Sequence, residues 1–252
     1  ALVSGNAWRS GSPPPQFPGR AVLVVEDNEI NREVALAMLA GTGVATAVAE
    51  DGAQAVRMVG ERDYDLILMD MQMPVMDGLE ATRRIRTFRA ADRLPIVAMT
   101  ANAFGEDRSR CLEAGMNDHL PKPVTPDTLF AMLNRWLVAV PGPAAAPAVA
   151  VDPDLTPPGR FARLGALAGI DLDQGLRMAM GRVSLYERLL SSFASHHGSD
   201  MATLGQALAR GDRTGARRLA HSVKGVAGTL GFSDLEHAAA ARRLFERPDE
   251  SV

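Results

Sequence analysis

Short apolar runs and amphipathic stretches alternate along residues 21–137, and the switching between the two periods predicts alternating strands and helices. "AVLVV" (21–25) has the unbroken apolar character of a buried parallel strand and stops at Glu26-Asp27. "NEINREVALAMLAG" (28–41) is an amphipathic helix with Ile30, Val34, Ala37 and Met38 on one face and Gly41 near its end. "VATAVA" (44–49), "YDLILMD" (64–70), "PIVAMT" (95–100) and the short "DHL" (118–120) read as four further strands. Between and after them, "GAQAVRMVG" (52–60), "GLEATRRIR" (78–86), "EDRSRCLEAG" (106–115) and "TPDTLFAMLNRWL" (125–137) read as helices. Five such βα units imply an α/β fold, a five-stranded doubly wound parallel sheet with helices on both faces.

"PGPAAAPAVAVDPDLTPPGR" (141–160) is a semi-stiff Pro/Ala spacer, and no strand pattern follows it. The chain thus divides into an N-terminal linker (1–20), an α/β domain (21–140), a linker (141–165) and an all-α domain (166–252). In the last, one long helix is expected over about residues 183–209, with Leu185, Leu189, Phe193, Leu204 and Leu208 on its buried side. A second spans 213–229, capped by Asp212 and ended by Gly231, and "SDLE" (233–236) is a capping box opening a third through Arg243. In the second helix Leu219, Val223, Val226 and Leu230 form a core stripe. His221, Lys224, Gly225 and Gly228 fall on the other side, so His221 should face solvent. A glycine inside a helix costs about 1 kcal/mol relative to alanine, so two on one face suggest room for another protein. A surface histidine without a role fits this stretch equally well.

Three helices, with Pro248 stopping the last, would leave that stripe partly uncovered and the bundle without its final helix. At about 25 cal/mol per Å², a few hundred Å² of exposed apolar area forgoes several kcal/mol. The expectation is a helical module mobile relative to the first domain, or one completed by a second copy of the chain as a homodimer.

The totals narrow the class. The 252 residues leave room for two domains, and 46% apolar content can fill two modest cores. A net charge of −3 with a pI near 6.0 argues against a nucleic-acid partner. The single cysteine, Cys111, fits a reducing compartment. "LVAVPGPAAAPAVAV" is broken by prolines and cannot cross a bilayer as a helix, and residues 1–20 lack signal-peptide organisation. A cytoplasmic piece of a larger protein, without membrane contact of its own, is expected.

Chemistry in an open parallel sheet gathers beyond the carboxyl ends of its strands. Those ends carry Glu26 and Asp27, Asp70, Thr100 and, just past the fifth strand, Lys122. Three carboxylates on one rim repel each other unless a cation joins them, and such an oxygen set suits Mg²⁺, which also binds phosphoryl oxygens. Thr100 and Lys122 then offer donors to a phosphoryl group, and Asp70, at the centre, is the candidate nucleophile. Strand-end acids often do no more than cap the next helix; five matching positions together are harder to dismiss.

These segments, "VLVVEDNEINREVA", "DLILMDMQMPVMDGLEATRRIR", "PIVAMTANAF" and "DHLPKPV", resemble the signatures of response-regulator receiver domains, whose fold is flavodoxin-like. The resemblance implies Asp70 as phosphoacceptor and Asp27, Asp70 and the backbone carbonyl of Gln72 as Mg²⁺ ligands, with Glu26 acting mostly through water. It implies Thr100 as the switch hydroxyl, Lys122 as the phosphoryl-pairing cation and a cis Lys122–Pro123 bond. His119 departs from the pattern, standing where the family usually has an aromatic switch residue; it is expected to make the switch sensitive to pH.

"AHSVKGVAGTLGFSDL" is similar to the H-x-x-K-G core of histidine phosphotransfer (HPt) domains, over about residues 166–246. In that family the histidine matching His221 is phosphorylated at Nε2, the lysine matching Lys224 helps with phosphoryl charge, and the glycine matching Gly225 clears room for a docking receiver. Arg217 and Arg218 would complement an acidic rim. His196, His197 and His237 lack this setting and read as ordinary. The two resemblances together imply the C-terminal part of a hybrid sensor histidine kinase. Its partners would be an upstream histidine kinase domain that supplies the phosphoryl group and a downstream response regulator that receives it. No ATP-binding glycine boxes are present. Two other classes stay open: a receiver controlling a helical interaction module without phosphotransfer, and an aspartate-nucleophile phosphohydrolase. The latter normally needs an acid two residues after the nucleophile, where this chain has Gln72.

Overall fold

A computed structural model describes residues 14–100, 105–137 and 169–240. Five strands, β1 (Ala21–Val25), β2 (Ala45–Ala49), β3 (Leu66–Asp70), β4 (Ile96–Thr100) and β5 (Asp118–Pro121), form one parallel sheet in the order β2-β1-β3-β4-β5. Alternate residues along each strand serve opposite faces. Val22, Val24, Leu66, Leu68, Val97 and Met99 pack against α1 (Glu29–Leu39) and α5 (Pro126–Trp136). Leu23, Val25, Ile67, Met69, Ile96 and Ala98 face α2 (Gly52–Glu61), α3 (Gly78–Arg86) and α4 (Gly105–Glu113). Burial on both faces explains why these strands read as continuous apolar runs. Of the stretch read as an N-terminal linker, the described part is anchored: Phe17 is fully buried and its N–H donates to the Thr42 carbonyl at 2.7 Å.

The linker expected at 141–165 lies outside the described residues. Beyond it come α6 (Leu172–Met178), α7 (Val183–His197), α8 (Asp200–Ala209), α9 (Arg213–Leu230) and α10 (Ser233–Ala240). The single helix expected over 183–209 is two. The chain leaves α7 at Gly198 and restarts at Asp200, whose carboxylate pairs with His197 Nδ1 at 2.6 Å. A Cβ at Gly198 would lie 2.7 Å from the Ala194 carbonyl oxygen, so only glycine fits this turn without a shift. α9 is capped as expected, with Asp212 accepting from the Gly215 N–H and Gly231 in the left-handed region at φ 79°. α10 begins at Ser233 itself, and its expected continuation to Arg243 lies outside the described residues.

The stripe expected to be partly uncovered is largely covered. Val223, Val226 and Leu230 are buried. α6, too short and polar to stand out in the sequence, lies over the end of α9. Gln174 Nε2 donates to the Gly228 carbonyl at 2.7 Å and Tyr186 Oη to that of Leu230 at 2.9 Å, occupying carbonyls that a helix end leaves free. Met178, Ala179, Leu185, Tyr186, Leu189, Val226 and Leu230 then join Ile30, Val34 and Met38 in one continuous apolar cluster. The area expected to draw in a second copy is therefore covered within one chain. Among the described residues no helix is long and apolar enough to cross a membrane.

Candidate functional site

The strand register brings the predicted residues to one rim. Asp70 ends β3 opposite Met99, and Thr100 ends β4 opposite Pro121. The Lys122 N–H donates to the Thr100 carbonyl at 2.7 Å, which turns the lysine into the site; the Lys122–Pro123 bond is cis. The capping role that strand-end acids often take falls to others. Asn28 accepts from the Ile30 and Asn31 N–H groups to cap α1, and Asp77 caps α3 through the Glu80 N–H. Glu26, Asp27 and Asp70 are left facing one another, each offering an oxygen within 4.8 Å of the other two. Asp70 is fixed from below: Gly78 lies so close that a Cβ there would sit 2.2 Å from the Asp70 carbonyl oxygen.

Lys122 Nζ lies 2.7 Å from Glu26 Oε2 and 2.8 Å from Asp70 Oδ2, bridging two carboxylates that are almost fully buried. Among the described residues Lys122 is the cation that bridges these carboxylates, while the Arg32 guanidinium is spent on the Glu26 and Asp27 carbonyls, so three acids leave the pocket short of positive charge. Burial first, and the Asp70 charge second, push Glu26 up to about 7, although Lys122 and Asn31 pull the other way. Asp27, at the solvent-facing lip, is also raised, by desolvation and then by Asp70. Burial works against the charge on Lys122, but Asp70 and Glu26 outweigh it and hold the ammonium above the ordinary lysine value. Such a pocket favours a further cation. The Gln72 N–H donates to Asp70 Oδ1 at 3.3 Å, placing that residue beside the carboxylates. The Thr100 hydroxyl is buried without a hydrogen-bond partner among the described residues, a donor available to a group entering the pocket.

The helical module sits on this rim, and the expectation that His221 faces solvent does not hold. α9 packs against α1, and His221, Lys224 and Gly225 are only half exposed. A Cβ at Gly225 would just touch Asn31 Nδ2 at 3.4 Å, so the first helix of the other domain lies directly over this glycine. The Thr229 hydroxyl donates to Asn31 Oδ1 at 2.9 Å; Asn28 Nδ2 lies 3.5 Å from Ser222 Oγ, and Arg188 pairs with Glu33 at 2.7 Å. Gly228 is buried against Glu236 of α10 instead of sharing this face. Burial lowers the His221 pKa below its ordinary 6.5; the Asp70 charge opposes this, and Lys122, Lys224 and Arg217 add to it. Both Asp70 and Lys122 therefore act on the imidazole across the domain boundary.

Two histidines that read as ordinary also lie at this boundary. His197 Nε2 is 3.4 Å from Asn28 Nδ2, and His196 Nδ1 is 3.8 Å from Glu29. Their sequence carries no motif; the packing of α7 against α1 brings them there. His119 lies half-buried on β5, 3.7 Å from the Asp118 carboxylate.

Residues 22–134 match the family described as "Response regulator receiver domain" and residues 188–246 the family described as "Hpt domain". Along most of its length the chain is similar to the sensor protein GacS of Pseudomonas syringae pv. syringae, at 31% identity over 94% of this chain and 26% of that protein. The sensor histidine kinase RcsC of Escherichia coli is 41% identical over 46% of this chain and 12% of its own length. The chain thus spans about a quarter of GacS and less of RcsC. A crystal structure of the receiver domain of sensor histidine kinase PA1611 from Pseudomonas aeruginosa PAO1, with magnesium coordinated in the active-site cleft, is 48% identical. It aligns over 47% of this chain and 97% of that one with a TM-score of 0.44. The two family matches follow one another in the order of the α/β and all-α halves, and the chain belongs to the proteins that carry a response regulator receiver domain followed by an Hpt domain.

Proposed function

We propose that the chain is a phosphorelay intermediate of a two-component system. Asp70 takes a phosphoryl group from a kinase histidine, His221 takes it from Asp70, and a separate response regulator takes it from His221. The observation carrying this reading is the packing of α9, the helix that bears His221, on α1 beside the acidic rim, through Thr229 to Asn31 and Ser222 to Asn28. Glu26, Asp27, Asp70 and the Gln72 backbone carbonyl are the set that would hold Mg²⁺, which when bound neutralises phosphoryl charge. The ammonium of Lys122 and the hydroxyl of Thr100, which has no hydrogen-bond partner among the described residues, are donors for the phosphoryl oxygens. In the second step the lone pair of neutral His221 Nε2 forms the N–P bond. The P–O bond to Asp70 breaks, and its electron pair returns to the carboxylate. A lowered pKa keeps the imidazole neutral and able to attack. Lys224 adds positive charge beside the new phosphohistidine. Positioning and charge neutralisation suffice for such transfers.

The test is labelling of the full chain with acetyl phosphate and Mg²⁺. Base-stable phosphate should appear on His221, be lost in Asp70→Asn and be lost in His221→Gln, while Asp70 of the latter stays labelled. Base-stable phosphate that survives His221→Gln, or that forms without Asp70, would overturn the assignment.

A further inference from the structure

Between the acidic pocket and the docked helix runs an uninterrupted polar path. Lys122 Nζ pairs with Glu26 Oε2, and Asn31 Nδ2 donates to the other oxygen, Glu26 Oε1, at 3.1 Å. The same amide accepts from the Thr229 hydroxyl through Oδ1, and that hydroxyl also lies 3.0 Å from the carbonyl of Gly225. His221, Gly225 and Thr229 are spaced i, i+4, i+8, so they share one face of α9. Asn31 is thus tied at one end to a carboxylate of the pocket and at the other to the face carrying His221. An amide is suited to this because it donates and accepts at once, its nitrogen giving to Glu26 and its oxygen taking from Thr229. Thr229 is almost fully buried, so its hydroxyl is shielded from solvent.

Resting on the phosphorelay reading above, we propose that Asn31 and Thr229 are positioning residues for the Asp70-to-His221 step, fixing the register of α9 over the phosphoacceptor. Neither touches the phosphoryl group; they act by holding the helix relative to the pocket. The polar link adds direction to the apolar contact of α1 with the helical module, because dispersion contacts tolerate sliding and a hydrogen bond does not. Gly225 lies under the same amide, where a Cβ would already be in van der Waals contact with Asn31 Nδ2 at 3.4 Å.

The experiment follows base-stable His221 phosphate in single-turnover time courses of the full chain, with total Asp70 labelling read from the same samples. Thr229→Val keeps the shape and removes the donor, and should slow transfer about fivefold to tenfold, as expected for one hydrogen bond. Thr229→Ser restores the hydroxyl and should transfer within about twofold of the parent. Asn31→Ala should slow transfer too, and Asn31→Ala/Thr229→Val should be no slower than Asn31→Ala by more than about twofold, because both changes cut one link. A Thr229→Val protein as fast as the parent, a Thr229→Ser protein as slow as Thr229→Val, or a double variant slowed by the product of the single effects would overturn the inference. A parent chain that labels Asp70 but never His221 would overturn the relay reading and this inference with it, which separates the two failures.

Discussion

Replacing Glu26 with Gln in metal-free protein should make the chain more stable at neutral pH, although it deletes half of a buried ion pair. Glu26 is 2% exposed, and burial together with Asp70 raises its pKa from 4.5 to about 7. At about 1.4 kcal/mol for each tenfold change in proton affinity, this is on the order of 3 kcal/mol. The sign follows from which state holds the proton more tightly. The folded chain does, so its stability is full below pH 4.5, where Glu26 is protonated in both states. It is lost as pH rises through about 7, where folding must hold the bare carboxylate. Gln keeps the shape without the charge but cannot accept from both Asn31 and Lys122, and losing one hydrogen bond costs about 1 kcal/mol. The net expectation is a gain of about 2 kcal/mol at pH 8 and a loss of about 1 kcal/mol at pH 4.5, measured by urea denaturation in EDTA at a series of pH values. Mg²⁺ should reverse the order at pH 8 by stabilising the parent more than the variant. A difference between the two proteins that does not change with pH, or that grows as pH falls, would refute the reasoning.

Gly78→Ala should damage the site from beneath. The new Cβ would sit 2.2 Å from the Asp70 carbonyl oxygen, so strand end or helix must move by roughly 1 Å. Labelling by acetyl phosphate should fall about 100-fold, and labelling at the parent rate would show that the rim is softer than drawn. The lowered pKa of His221 sets the pH dependence of its phosphorylation. The imidazole stays neutral to lower pH than a free one, so transfer from Asp70 should be level between about pH 7 and 8 and lose half its rate only below the ordinary imidazole value of 6.5. A single-turnover rate that is half-lost above pH 6.5 would contradict this.

Local pattern was enough for the first domain. The apolar runs of β1, β3 and β4, the amphipathic α1 and the strand-end positions of Glu26, Asp27, Asp70, Thr100 and Lys122 were legible because a parallel sheet buried on both faces imposes its pattern residue by residue. Asp212 and Gly231 marked the ends of α9 for the same kind of reason, since caps answer to backbone groups a few residues away. Tertiary structure decided the rest. α6 is too short to show a period, and an apolar period that runs on past Gly198 does not reveal the break there. The stripe on α9 was visible, but what covers it was not: Ile30, Val34 and Met38 belong to another domain and reach it only through docking. The partner of Thr229 is Asn31, 198 residues away along the chain. Whether His221 faces solvent or the acidic rim is likewise unwritten in its own helix. An amphipathic period states which side of a helix is apolar, whereas the contact made by the polar side depends on the shape and charge of a surface assembled from distant segments.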